Sequence, residues 1–177
     1  MNIFYLDHDP IVAAKAMTNK HVVKMILESA QLMSTAHRVL DGEPYIKRSK
    51  SGARLTRYTH SNESLYQATH INHPSALWVR ESKSNYDWLY KHFLALNNEY
   101  TERYHKTHAS LTKLGAVLAH SPRNIPNVGL TPIRIAITNT KWHRKDPVES
   151  YRAYYIGEKL HTIQDQDRYL NVLYPIT

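Results

Sequence analysis

The longest regular pattern in the chain runs from Asn19 to Leu40, NKHVVKMILESAQLMSTAHRVL. Val22, Val23, Met25, Ile26, Leu27, Ala30, Leu32, Met33, Ala36, Val39 and Leu40 cover most of a helix circumference, which predicts a central, buried helix. His21, Lys24, Glu28, Gln31 and Thr35 recur at steps of three and four and fall on one face. A polar stripe on a buried helix has two readings. In one, Lys24 and Glu28 pair a turn apart and the stripe meets other polar side chains. In the other, the stripe floors a cleft, where burial tunes both groups for acid–base chemistry.

The same patterning places the other elements. Met1 to Leu6 reads as a short strand or extended arm. Asp9-Pro10 is a helix start, and a short helix follows to about Ala16. Asn19 caps the central helix, and Asp41-Gly42 ends it, glycine being the usual residue of a left-handed cap. Residues 43–72 are the least regular part. Their first half carries Lys47, Arg48, Lys50, Arg54 and Arg57 with few apolar residues. It reads as a basic, mobile loop or as a hairpin turning at Ser51-Gly52, and as a flap that reaches phosphates. His73-Pro74 opens a helical region to Tyr104, in which Trp78, Tyr86, Leu89, Phe93, Leu96 and Tyr100 recur at helical spacing. Trp88 and His92 lie on a neighbouring face, and Arg80, Ser84, Asp87 and Lys91 form a polar row. A helix from His105 to His120 has Leu111, Leu114, Val117 and Leu118 on its apolar side. Beyond it come a proline-rich loop in which IRIAIT can form a short strand, and the basic knot KWHRK, with Arg144, around Trp142. A last helix, PVESYRAYYIGEKL, and a tail with weak signals complete the chain. No repeat or linker divides it. The expected fold is mainly α, one compact domain around the long helix, with Val22, Met25, Ile26, Met33 and Leu89 in the core.

Composition narrows the chemistry. The 177 residues suit one domain and include no run of about 18 apolar residues that would span a membrane. The start, MNIFYLDHDP, lacks the features of a secretory signal. The absence of cysteine excludes disulfides, cysteine nucleophiles and thiolate zinc sites, and fits a reducing cytosol. Lys and Arg number 23 against 15 acids, for a net charge of +8, and 13 Tyr and 3 Trp accompany them. Cations attract phosphates and aromatic rings stack on bases, so nucleic acid is the expected partner. No Walker loop, dinucleotide fingerprint or nucleophile elbow is present. The pairs His70/His73 and His105/His108 lack a third ligand at a recognised distance, so neither metal nor cofactor is expected. Tyr151, Tyr154 and Tyr155 beside Arg152 and Lys159 make an aromatic helix face or supply stacking and phosphate contacts.

KHVVKMILESAQL, HPSALWVRESKSNYDWLY and DPVESYRAYYIGEK resemble a family of small proteins encoded by bacteriophages and some bacteria. More distantly, the layout is similar to the pyrimidine-dimer DNA glycosylases of the endonuclease V family, which are small, basic and helical. Those enzymes carry a helix with a His and, seven residues on, a catalytic Glu; His21 and Glu28 match. Their middle helix opens after a His, like His73, and they end in a Tyr-rich segment with Lys, like Tyr151 to Lys159. They have arginines where this chain has Leu27 and Gln31. They also use the α-amine of a small residue exposed by loss of Met1, where this chain has the bulkier Asn2.

The resemblance implies an N-glycosylase, with possible lyase activity, on damaged or modified pyrimidines flipped out of duplex DNA. Glu28 would stabilise positive charge on the sugar or steer the nucleophile. Lys24 or the N-terminal amine would attack, and His21 would shuttle protons. Lys47, Arg48, Lys50, Arg54, Arg57, Arg80, Lys91, Arg144, Arg152, Lys159, Tyr151 and Tyr155 are the expected nucleic-acid contacts. Two alternatives stay open: an enzyme that installs a modified pyrimidine, and a non-enzymatic basic protein that coats nucleic acid or blocks a host factor.

Overall fold

Every helix starts where a short polar side chain can take over an amide that has no partner inside the helix. In the computed structural model, which describes residues 1–159, Asp9 caps α1 (Pro10–Lys15) and Thr18 caps α2 (Asn19–Asp41). His73 caps α3 (Pro74–Glu81), Ser82 caps α4 (Lys83–Tyr104), His108 caps α5 (Ala109–Leu118) and Asp146 caps α6 (Pro147–Glu158). Proline occupies the first turn of α1, α3 and α6, where its missing N–H costs nothing. The cap of α2 is thus Thr18, one residue before the Asn19 that the sequence suggests. The weakly patterned tail and Leu160 lie outside the described residues.

The fold is mainly helical, as the patterning predicts. α2 packs against α3, α4 and α5, and α1 against α4. Val22, Met25, Ile26, Met33 and Leu89 are all buried, joined by Trp78, Tyr86, Phe93 and Leu96. Two apolar residues of α2 depart from the expected buried helix: Val23 and Leu27 are 38% and 39% exposed. They share an open face with Lys24, so α2 is buried on most of its circumference and not on all of it.

Four expectations take more definite forms. The helical region 73–104 is two helices, broken at Ser82, whose extended backbone lets its hydroxyl cap α4 and donate to Gly129 O. Met1–Leu6 is an arm without strand pairing, and Ile3, Phe4, Tyr5 and Leu6 are buried. IRIAIT pairs with no strand either, because Ala136 spends its backbone groups on side chains: its N–H donates to Tyr151 and its carbonyl accepts from Asn2. The basic segment is a hairpin, β1 (Pro44–Arg48) antiparallel to β2 (Arg54–Tyr58), with Gly52 in the turn at φ 84°.

Gly42 ends α2 for a different reason than the left-handed cap. Its φ is −103°, but a Cβ there would lie 2.0 Å from Thr59 O. Glycine is needed so that the root of the hairpin can close on the helix end. Arg38 fastens the same junction: its guanidinium donates to the carbonyls of Tyr58, Leu65 and Tyr66 at 2.7–3.0 Å.

Candidate active site and nucleic-acid interface

Seven residues separate His21 from Glu28, which puts both on one face of α2 with Lys24 between them. The N-terminal arm runs across that face. Glu28 is 8% exposed and its two carboxylate oxygens face different nitrogens. Oε1 lies 3.2 Å from Lys24 Nζ, and Oε2 accepts from the backbone N–H of Asn2 at 2.9 Å. Lys24 itself is largely exposed, with a side-chain exposure of 65%. Glu28 is therefore a satisfied carboxylate at the edge of solvent, and the start of the chain is delivered to it.

Asn2 performs that delivery. Its Oδ1 accepts from the amides of Ile3 and Phe4 at 2.8 and 3.0 Å, and its Nδ2 donates to Ala136 O at 3.0 Å. Ala136 N–H in turn donates to the Tyr151 hydroxyl at 2.9 Å. A chain of hydrogen bonds thus runs from α6 through the proline-rich loop to the nitrogen on Glu28. The tight turn after Asn2 forces Phe4 to φ 52°, a costly value for a bulky residue. The return is placement: the Phe4 ring stacks on His21 with centroids 4.6 Å apart and lies parallel to Tyr154 at 6.3 Å.

His21 is held from both sides. Its Nδ1 pairs with the Tyr155 hydroxyl at 2.8 Å, which also accepts from Thr18 N–H at 2.9 Å. Burial, then the Lys159 and Lys24 charges, push its pKa down to about 4 against the opposing pull of Glu28. It is neutral at physiological pH. His73 approaches Glu28 from α3. Its pKa is lowered first by burial and then by the N-terminal ammonium and His70. Its Nδ1 accepts from Ser75 N–H at 3.2 Å, which leaves Nε2 as the nitrogen that carries hydrogen. His73 thereby offers an N–H donor within reach of the Glu28 charge, which pulls its pKa the other way.

At the other end of the stripe, Thr35 Oγ1 accepts from Thr69 N–H at 3.2 Å and so holds the loop below the hairpin. Tyr45, Lys47, Arg57, Gln67, Ala68 and Thr69 line an open pocket of about 410 Å³ there. The hairpin register explains the grouping, since Tyr45 pairs with Arg57 and Lys47 follows two residues on, on the same face. Thr35 stands about 10 Å along α2 from Glu28, or about three base steps of one DNA strand. Arg48 and Arg54 pair across the hairpin and point to the opposite face, and Lys50 sits exposed at the turn.

The remaining candidates have other duties. Tyr151 and Tyr155 are fully buried, so their rings cannot stack on a base; they hold Ala136, Thr18 and His21 instead. Tyr154 is the partly open ring of α6, with Lys159 Nζ 5.1 Å above it. Arg152 donates to Leu6 O at 2.7 Å and to Asp7 at 2.6 Å, which ties α6 to the arm. Arg80 donates to Ala76 O within α3, and Arg144 to the carbonyls of Lys141 and His143. Lys91 lines a separate groove with Ile11 and Lys15. Sequence reasoning missed Asn2, Phe4 and the donor role of His73. The usable signal for Asn2 was its type, because Asn side chains readily accept amides one or two residues on. No local signal pairs Asn2 with Ala136, 134 residues away.

Residues 1–112, from the arm into α5, match the sequence profile of a family described as pyrimidine dimer DNA glycosylase. No curated protein and no solved structure matches the chain. Among the described residues no helix is long and apolar enough to cross a membrane.

Proposed function

The chain belongs to the pyrimidine dimer DNA glycosylase family, and on that premise we propose that it removes damaged or modified pyrimidines from duplex DNA, with Glu28 at the reacting sugar. The observation that carries this reading is the convergence of two nitrogens, Lys24 Nζ and Asn2 N, on one nearly buried carboxylate. Departure of a base builds positive charge at C1′ of the sugar, and a fixed carboxylate largely shielded from water stabilises it. An amine then attacks C1′, the N-glycosidic bond breaks, and the base leaves with the bonding electrons and takes up a proton. The amine sheds a proton, and opening of the sugar ring leaves an imine from which strand cleavage can follow.

An amine nucleophile needs a desolvated or cation-flanked setting. The exposed Lys24 has little desolvation, whereas the N-terminal amine is near enough to His73 to shift it and is one residue from the nitrogen on Glu28. The N-terminal amine is the stronger candidate. His21, neutral and held by Tyr155, fixes Phe4 and the arm more than it shuttles protons. His73 donates to substrate oxygen. Val23 and Leu27 offer an exposed apolar strip beside Glu28 on which a base face can rest. Lys47 and Arg57 supply phosphate contacts beyond Thr35, on a family site where Leu27 and Gln31 replace arginine.

Borohydride trapping tests this reading. A duplex carrying one pyrimidine dimer, incubated with enzyme and borohydride, should yield a covalent adduct. Peptide mapping should place it on the first residue of the chain and not on Lys24. Glu28→Gln should retain duplex binding and lose excision. A protein that binds DNA but excises no damaged or modified pyrimidine would be the non-enzymatic binder.

A further inference from the structure

The far end of α2 carries a second constellation that base excision does not use. His37 and Asp41, one turn apart on the last turns of the helix, meet His60 from the loop after β2. One ligating atom from each lies within 4.8 Å of the others. We propose that His37, Asp41 and His60 form a zinc site that fastens the root of the basic hairpin to α2.

The surroundings of each ligand fit that role. The Tyr86 hydroxyl donates to Leu118 O at 3.0 Å and therefore accepts from His37 Nε2, 3.0 Å away. With its hydrogen on Nε2, Nδ1 is the nitrogen left for a metal, and the Tyr86 hydroxyl gives the support a metal-binding imidazole usually receives from its outer shell. Asp41 is oriented by two backbone amides, Arg123 N–H at 2.8 Å on Oδ2 and Asn124 N–H at 3.0 Å on Oδ1. Each oxygen keeps a lone pair for a cation. The carbonyl end of a 23-residue helix adds partial negative charge at the same place.

Zinc bonds of about 2.0–2.1 Å in a tetrahedron bring ligand atoms to about 3.3 Å from one another, so the triangle must tighten. His60 is the ligand able to move, since it sits on a loop over an open pocket of about 410 Å³. Its Nδ1 now accepts from Asn62 N–H at 2.9 Å, which leaves Nε2 for the metal. On loading, zinc replaces the Nε2 proton, Nδ1 takes up a proton and the Asn62 bond is given up. Glu63, which lines that pocket, or a water completes the coordination. Imidazole and carboxylate donors without thiolate suit zinc and tolerate cobalt.

The test uses the full chain, stripped with EDTA and titrated with zinc by calorimetry and with cobalt by visible absorption. One equivalent should bind, cobalt should show the intense bands of a tetrahedral site, and zinc should raise the melting temperature. His60→Ala and Asp41→Asn should each weaken binding by about 100-fold and abolish the cobalt bands. His105→Ala/His108→Ala should change neither. Circular dichroism checks that the variants fold, and Asp41→Asn keeps an acceptor for one of the two amides. Absence of a one-equivalent site, or zinc affinity and cobalt bands unchanged in both His60→Ala and Asp41→Asn, overturns the proposal.

Discussion

The two ends of α2 are built from the same part and put to different ends. Each has a histidine joined to a tyrosine hydroxyl, His21 to Tyr155 at 2.8 Å and His37 to Tyr86 at 3.0 Å. Each histidine is pushed down to about 4, by burial first. Each lies near a carboxylate farther along the helix. The carboxylates are where the ends diverge. Asp41 is anchored by two backbone amides of a distant loop, a fixed arrangement that suits holding. Glu28 meets one exposed lysine and one amide of the chain's own start, an arrangement that a substrate can displace. Whether a carboxylate holds or reacts is set by how replaceable its partners are.

That contrast breaks most sharply at Glu28. Glu28→Gln keeps the shape and the acceptor for Asn2 but removes the charge, and single-turnover excision should fall about 1000-fold. A loss under tenfold would place Glu28 with the holding carboxylates. Next in size is Asn2→Ala, which releases the arm from Ala136 while keeping the amide that faces Glu28. Loss of positioning of this kind costs about 100-fold in kcat, with KM little changed. An equal rise in KM would mean that Asn2 serves binding.

Acid stability sharpens the comparison further. Unfolded histidine titrates near 6.5, whereas His21 and the fully buried His92 titrate at about 4 in the fold. Above 6.5 neither state takes the proton. Between 6.5 and 4 only the unfolded chain does, so stability falls as pH drops, by up to ~1.4 kcal/mol per pH unit for each histidine, and the loss is complete below 4. Urea melts at pH 7 and pH 5 should show this, with a shallower dependence in His21→Asn. The smallest effect belongs to the hairpin. Lys47→Ala/Arg57→Ala should make the slope of log affinity against log salt less steep by about 1.8, if each cation neutralises one phosphate. An unchanged slope would take that pocket out of the DNA path.

The stripe His21–Lys24–Glu28 was legible in sequence because helical spacing alone puts those side chains on one face. The buried core was legible for the same reason. What could not be read was everything set by distant approach. Val23 and Leu27 look like core and are exposed because no described element covers that side of α2. Tyr151 and Tyr155 look like stacking platforms and are buried, because Ala136 and Thr18 come to their hydroxyls from 15 and 137 residues away. Gly42 looks like a left-handed cap and is a point of close approach to Thr59 O. The match to the family profile stops at residue 112, yet Tyr151, Tyr155 and Arg152 of α6 brace the arm that reaches Glu28.

The hairpin has a consequence for handling the protein as a material. A two-stranded sheet exposes one unpaired edge on each strand, and this one also exposes Tyr45 and Ile46, 42% and 53% open. Such edges invite strand-to-strand association with another copy, and cationic side chains along them oppose it. Lys47, Arg48, Arg54 and Arg57 are therefore also the hairpin's guard against self-association. A variant stripped of these charges to weaken DNA binding should be checked by light scattering, because turbidity in concentrated solution would otherwise pass for a loss of affinity.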